Sequence, residues 1–344
     1  MVIHPIIHTA RERWPNNREY NMEGQNLGKK KIAIYWGAAC GGCDISILEI
    51  GEHVLDLAAG ADIVFWPAAI DVKYKDVEDL PEKSIDVCLY NGAIRTSENR
   101  HMAKILRTKS KVLVSFGSCA TEGCVPGLAN LKKREDILKT VYKETPTTFN
   151  PNNLTPLTSV NVPEGKIDLP EFLEQVETLS QVTEVDYFVP GCPPVGEQAW
   201  TAIQTLIGDD LPPKGSYLGC GSRALCEECP RKREKKKIKR IYRNYELTPN
   251  TEDCLLEQGL LCIGPATREG CGAQCIKSNM PCIGCYGPVP ENSDQGAKMI
   301  TALASTLDAK DDKEAKEILK NVVDPMGTFY YFGVANSPFR RPKV

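Results

Sequence analysis

No run in the 344-residue chain approaches eighteen apolar residues, so nothing in it predicts a membrane-spanning helix. No GxGxxG and no P-loop follows the first predicted strand, which argues against a dinucleotide or nucleotide fold. The amino terminus, "MVIHPIIHTARERWPNNREYNMEGQNLGKK", has no apolar h-region, no small-residue cleavage site and no twin-arginine signal, so the expected location is the cytoplasm. Histidine is scarce, at four residues, and no internal repeat is visible. The net charge of −3 is too small to predict a partner of either sign. At 42% hydrophobic and 25% charged residues, the composition is that of a soluble globular protein with material for one large domain or two ordinary ones.

Cysteine, by contrast, is abundant. There are fifteen, nine of them between 220 and 285. Intracellular thiols are kept reduced, so metal or redox-cofactor ligation is the better expectation than structural disulfides.

From residue 31, strand-like apolar runs alternate with helical stretches: "KIAIYW" (31–36), "ADIVFW" (61–66), "IDVCLY" (85–90), "KVLVSFG" (111–117) and "VDYFVPG" (185–191). Between the first two, residues 44–60 place Ile47, Ile50, Val54 and Leu57 at helical spacing, with Gly60 as a C-cap. The pattern predicts an α/β domain with a doubly wound, mostly parallel sheet of the flavodoxin-like kind. Residues 143–170, rich in Pro, Thr and Asn, predict a long surface connection. The expected organisation is an N-terminal extension (1–30), the flavodoxin-like domain (31–210), a cysteine-rich domain with little regular structure (211–290) and a helical C-terminal segment (291–344) interrupted near Asp308. A region so poor in apolar periodicity is best held together by what its cysteines bind.

Topology brings the cysteines of the first domain together. Cys40 and Cys43, in "GAACGGCD", follow the first strand; Cys119, in "GSCATEG", follows the fourth; Cys192, in "PGCPPVGEQ", follows the last. In a parallel open sheet the turns after the strands open on one carboxyl-end crevice. The neighbouring glycines permit tight turns and leave backbone N–H groups free to donate to sulfur, while Pro193 and Pro194 stiffen the last loop. A lone CxxC suits a zinc knuckle or a redox dithiol equally well. With two further strand-end cysteines, an iron-sulfur cluster is the better reading.

The combination "CGGC…GSCATEG…PGCPP" resembles the small, electron-transferring subunits of nickel-iron hydrogenases. Within them it is most similar to the cytoplasmic group of methanogenic archaea, the G subunits of methyl-viologen-reducing hydrogenases that do not reduce coenzyme F420. The resemblance runs from about residue 30 to 290. It implies a proximal 4Fe-4S cluster on Cys40, Cys43, Cys119 and Cys192. It also implies two outer clusters in a ferredoxin-like domain, and the order Cys226-x2-Cys229, twenty-four residues, Cys254-x7-Cys262, eight residues, Cys271-x3-Cys275-x6-Cys282-x2-Cys285 divides accordingly. Cys226, Cys229, Cys254 and Cys262 would hold one 4Fe-4S cluster, and Cys271, Cys275, Cys282 and Cys285 the other. Three 4Fe-4S clusters thus account for twelve cysteines. Cys88 is expected to be a buried small apolar residue. Cys124 lies near Cys119 and Cys220 near Cys226, and each is a possible substitute ligand for its neighbour.

The resemblance further implies that the nickel-iron site is on a partner large subunit, faced by the proximal loops and the helical tail. Electrons would pass from H2 through the proximal, Cys271–Cys285 and Cys226–Cys262 clusters to a further iron-sulfur subunit, linked to heterodisulfide reductase in methanogenesis. The chain itself has no catalytic residue. One other feature is conspicuous: "RKREKKKIKRIYR" (231–243) carries a local +8 against −11 for the remainder. A zinc-stapled protein binding nucleic acid is one reading of it; a solvated insertion is the favoured one, with neither nucleic acid nor membrane as a partner. The sequence is also compatible with a subunit of a coenzyme F420-reducing hydrogenase, and less so with a respiratory-complex relative. In that relative, adjacent cysteines would be expected in place of Cys40-Gly-Gly-Cys43. Asp44, Glu52, His53 and His101 are expected to serve packed or solvated faces, although Asp44 could also tune the proximal site or relay protons; Trp36 and Trp66, at strand ends, are expected in the core or shielding a cluster.

Overall fold

The computed structural model describes residues 29–290 and 294–340; the expected N-terminal extension lies almost wholly outside them. Five strands form the central sheet: β1 Lys30–Trp36, β2 Ala61–Phe65, β3 Ile85–Asn91, β4 Ser110–Phe116 and β5 Tyr187–Val189. Their spatial order is β2-β1-β3-β4-β5 and every neighbouring pair is parallel, with Ile34 opposite Leu89 and Leu89 opposite Val114. This is the flavodoxin-like order expected from the sequence.

A strand pointing alternate side chains to opposite faces, with helices on both, must be apolar throughout. Along β1, Ile32 and Ile34 enter one core with Val87, Leu89, Val114 and Phe116, closed by Ile47, Ala199 and Ile203. Ala33 and Tyr35 enter the other, with Cys88, Leu113, Met102 and Leu106. Cys88 is fully buried there, as expected.

The stretch predicted as one helix over 44–60 is two, α1 Gly42–Leu48 and α2 His53–Gly60. Ile50, in the break, is buried, whereas Val54 is exposed and Gly60 is the last helical residue, not a cap. The chain leaves the first helix at Glu49 and re-enters helix at His53, so Val54 does not continue the buried face that Ile47 and Ile50 share. The connection over 143–170 is exposed but not structureless, since Ser159–Val162 pairs antiparallel with Gly165–Asp168.

Beyond residue 215 regular structure is sparse, but the region has an apolar core that periodicity did not reveal. Leu225, Ile238, Ile241, Leu255, Leu260 and Ile263 pack with Met299, Leu303, Ile318 and Tyr330 of the C-terminal segment. The tail is helical over Gln295–Thr306 and Asp312–Leu319, interrupted at the expected place. It covers the cysteine-rich region with its buried face. Among the described residues no helix is long and apolar enough to cross a membrane.

Candidate metal centres

The proximal loops start where the sheet stops. Cys40 lies between β1 and α1, Cys43 inside α1, Cys119 inside the short helix Ser118–Glu122 after β4, and Cys192 three residues beyond β5. Burial pushes the Cys43 thiol well up, and Cys119, Cys192, Asp44 and Cys40 beside it add to the effect. Cys40, Cys119 and Cys192 thus lie on the same edge of the sheet as Cys43, within electrostatic reach of its sulfur. The loop after β4 packs closely on Cys43: Gly117, with φ of 84°, adopts a left-handed backbone, and a Cβ there would lie 2.3 Å from Cys43 Sγ. Only glycine allows β4 to pass behind that sulfur.

Asp44, next to Cys43, is buried with its carboxylate satisfied: Trp66 Nε1 donates to Oδ1 at 2.7 Å and Asn91 Nδ2 to Oδ2 at 3.1 Å. It ties α1 to the ends of β2 and β3, a positioning role. His53 stacks on Trp200 at 4.7 Å, and His101 pairs with Glu78 on the surface.

The outer thiols have thiol neighbours of their own, with Cys282 beside both Cys262 and Cys285. Burial pushes Cys226 up to about 12, with Cys262, Cys254 and Cys229 adding to it. Burial likewise pushes Cys285 up to about 12, with Cys271, Cys192 and Cys275 around it. A cavity of about 400 Å³ is lined by Cys271, Cys275, Cys282 and Cys285 together with Cys192, Pro193 and Pro194.

Buried thiols that resist ionisation together require a cation if they are to be thiolates. Among the described residues no three His, Cys, Asp or Glu side chains close on a point as a single metal ion needs. Thiols spread around a cavity suit a multi-atom core better than zinc. Backbone donors are in place as well: the Cys282 N–H donates to Cys262 Sγ at 3.4 Å, and amides of Ala273 and Gln274 donate to Cys271. The residues present thus fit iron-sulfur clusters.

Several contacts carried no sequence signal. Glu228 accepts the Gly270 N–H at 3.1 Å with each oxygen and reaches within 3.7 Å of Cys271 Sγ. Thr267 Oγ1 stands 3.6 Å from Cys282 Sγ and accepts from Gln295 Nε2 at 3.2 Å. Cys220 packs against Gly270, with Arg268, Glu269 and Glu228 as its charged surroundings. The basic run is largely paired: Lys232 with Glu252, Arg233 with Glu227, Lys236 with Glu234, Lys239 with Asp308 and Arg240 with Glu246. Its Arg231 is buried, donating to Asn279 Oδ1 at 2.6 Å and to backbone carbonyls.

A parallel sheet presenting cysteine loops on its carboxyl edge, joined to a second thiol-rich region, defines an iron-sulfur type of oxidoreductase subunit. The family model "NADH ubiquinone oxidoreductase, 20 Kd subunit" matches residues 40–206. The iron-sulfur G subunit of the F420-non-reducing hydrogenase of Archaeoglobus profundus is 40% identical over 84% of this chain and 91% of its own length. The G subunit of the same enzyme from Methanothermobacter marburgensis is 37% identical over 88% and 94% respectively, and the vhu G subunit of Methanocaldococcus jannaschii 35% over 81% and 89%. The chain belongs to the family of G subunits of F420-non-reducing hydrogenases.

Proposed function

We propose that the chain is the electron-transferring small subunit of a nickel-iron hydrogenase, relaying electrons from H2 oxidation on a partner large subunit through three 4Fe-4S clusters. Cys40, Cys43, Cys119 and Cys192 are the proximal ligands, Cys271, Cys275, Cys282 and Cys285 the middle ones, and Cys226, Cys229, Cys254 and Cys262 the distal ones. The clusters would supply one-electron redox chemistry at low potential. The chain's own residues hold them, exclude water and donate amide hydrogens to sulfur, which adjusts the potentials.

The observation that carries this reading is the contact between successive thiol sets. Cys192 lines the middle cavity, and the Cys262 sulfur accepts the Cys282 N–H. Three centres joined in this way make a stepwise route from one end of the row to the other. In the strand end and helix that flank exposed Cys40, Ile45 and Leu48 are exposed at 57% and 58%, and so is Trp36 at 42%, contrary to the core position expected of it. Such an apolar rim suits burial against the subunit that carries the nickel-iron site. At the other end, a further iron-sulfur subunit linked to heterodisulfide reductase in methanogenesis would take the electrons. Four acids from outside the run, Glu227, Glu246, Glu252 and Asp308, pair with it and offset half of its +8, which supports a solvated, ion-paired segment over the nucleic-acid reading.

The test is the complex purified without oxygen and exposed to H2. Electron paramagnetic resonance should show all three clusters reduced in the wild type. In Cys282→Ala/Cys285→Ala the proximal cluster should still be reduced and the distal one stay oxidised. Distal reduction at the wild-type rate in that variant would contradict the row.

A further inference from the structure

Glu228 stands between ligands of the proposed distal and middle clusters. It lies in the turn from Cys226 to Cys229, yet its carboxylate faces the middle ligands. Both oxygens accept the Gly270 N–H at 3.1 Å, and Oε1 is 3.7 Å from Cys271 Sγ. We propose that the fixed negative charge of Glu228 lowers the reduction potential of the cluster that Cys271 holds, so that electrons pass on to the next one. This deepens the proposed electron relay and rests on it.

Glu228 is not needed to join the two segments. An antiparallel bridge of Ala224 with Arg268 does that, with the Leu225 N–H donating to the Thr267 carbonyl at 2.8 Å and the Glu269 N–H to the Arg223 carbonyl at 2.9 Å. A neutral acceptor would satisfy the Gly270 N–H as well, so the charge itself needs a reason. No cation cancels it. Arg223 pairs with Glu269 and Arg233 with Glu227, each at 3.3 Å, and among the described residues no lysine or arginine pairs with Glu228. Glu228 is half-buried, so solvent screens its charge only in part. Burial pushes the Cys271 thiol up to about 11, and Glu228 adds to that push. At Cys226 the local charge has the other sign: burial and Cys262 raise the thiol, while the Arg233 guanidinium opposes them.

A carboxylate beside a ligand sulfur opposes the arrival of one more negative charge, so it favours the oxidised state. The Gly270 N–H, held by the carboxylate, does not serve a sulfur, which acts in the same direction. The cation beside Cys226 favours an added electron there. One electron leaves the centre beside Glu228 and arrives at the one beside Arg233; no bond is made or broken and no proton moves. Without the carboxylate, the middle of the row would hold its electron more tightly and the outward step would slow.

Redox titrations of the anaerobically purified complex, followed by electron paramagnetic resonance, should compare wild type, Glu228→Gln and Glu227→Gln. The middle signal is the one that Cys282→Ala/Cys285→Ala abolishes. At a fixed solution potential we expect Glu228→Gln to raise the reduced-to-oxidised ratio of that signal about tenfold, about 59 mV for one electron. Glu227→Gln removes an equal charge from an exposed position of the same turn and should leave that ratio unchanged. An unchanged ratio in Glu228→Gln, or an equal rise in both variants, overturns the proposal. A wild-type chain without iron instead removes the electron relay on which it rests. If Glu228→Gln does not hold its iron, Glu228→Asp decides. It draws the carboxylate back from Cys271 by one methylene, so the same ratio should rise by a smaller factor, and no rise overturns the proposal.

Discussion

In the first region, each thiol loop begins at the end of a strand buried on both faces; in the second, between Cys220 and Cys285, no strand longer than an isolated bridge fixes any thiol. The thiols of the first region hang on a frame held by apolar packing and a five-stranded ladder. The outer thiols are spaced by turns, short helical segments and one satellite core shared with the C-terminal helices. Metal should therefore contribute little to the stability of the first region and much to that of the second.

The largest effect expected from this contrast follows removal of iron by a chelator. Amide protection over 225–285 should be abolished while β3 and β4 keep theirs, as read by hydrogen exchange. Equal loss in both regions would break the comparison.

Next in size is Asp186→Asn. Asp186, buried under the sheet's amino end, accepts the Leu113 N–H at 2.8 Å and pairs with Arg107 and Lys214. Removing one charge of a buried pair costs about 3–5 kcal/mol, to be seen in thermal melts with the cluster spectra unchanged. The pH dependence follows from the same site. Burial raises the Asp186 carboxyl, but Arg107, Lys214 and the Leu113 amide outweigh it and hold the group below its usual value. Its contribution is thus present above the unfolded carboxylate range, at a pKa of about 3.9, and is lost as pH falls through the lower folded value. A protein losing this contribution above pH 5 would contradict that sign.

Gly117→Ala sharpens the comparison locally. The backbone strain alone is about 1–3 kcal/mol, and the added methyl meets Cys43 Sγ. The proximal signal should disappear while the two outer clusters remain, because the frame carries the first site and not the others. The smallest effects belong to the basic run. Lys239→Ala, which removes an exposed ion pair to Asp308, should change stability by under about 1 kcal/mol in denaturant titrations.

Strand order and the meeting of Cys40, Cys43, Cys119 and Cys192 were legible because parallel strands have one carboxyl edge, and a motif at each strand end needs no side-chain detail to be placed there. The helix break at Glu49–Glu52 was not legible: Ile47, Ile50, Val54 and Leu57 keep helical spacing in sequence, and only packing shows that Val54 faces solvent. The apolar core of the second region was missed for a related reason. Its leucines and isoleucines come from turns that obey no period of 2 or 3.6, so periodicity cannot register them. Glu228 and Thr267 reach sulfurs across the fold from segments without a motif. Cys124 was visible as a cysteine near Cys119, but its proximity to Cys192, 68 residues away, required the folded chain.

The central claim is that two differently built regions together hold three cubane clusters on twelve cysteines. It is tested most directly by counting iron, sulfide and zinc in the anaerobically purified chain, with Mössbauer spectra to give the cluster type. About twelve irons and twelve sulfides per chain, all in 4Fe-4S form, are predicted; two or three zinc ions without iron would contradict it.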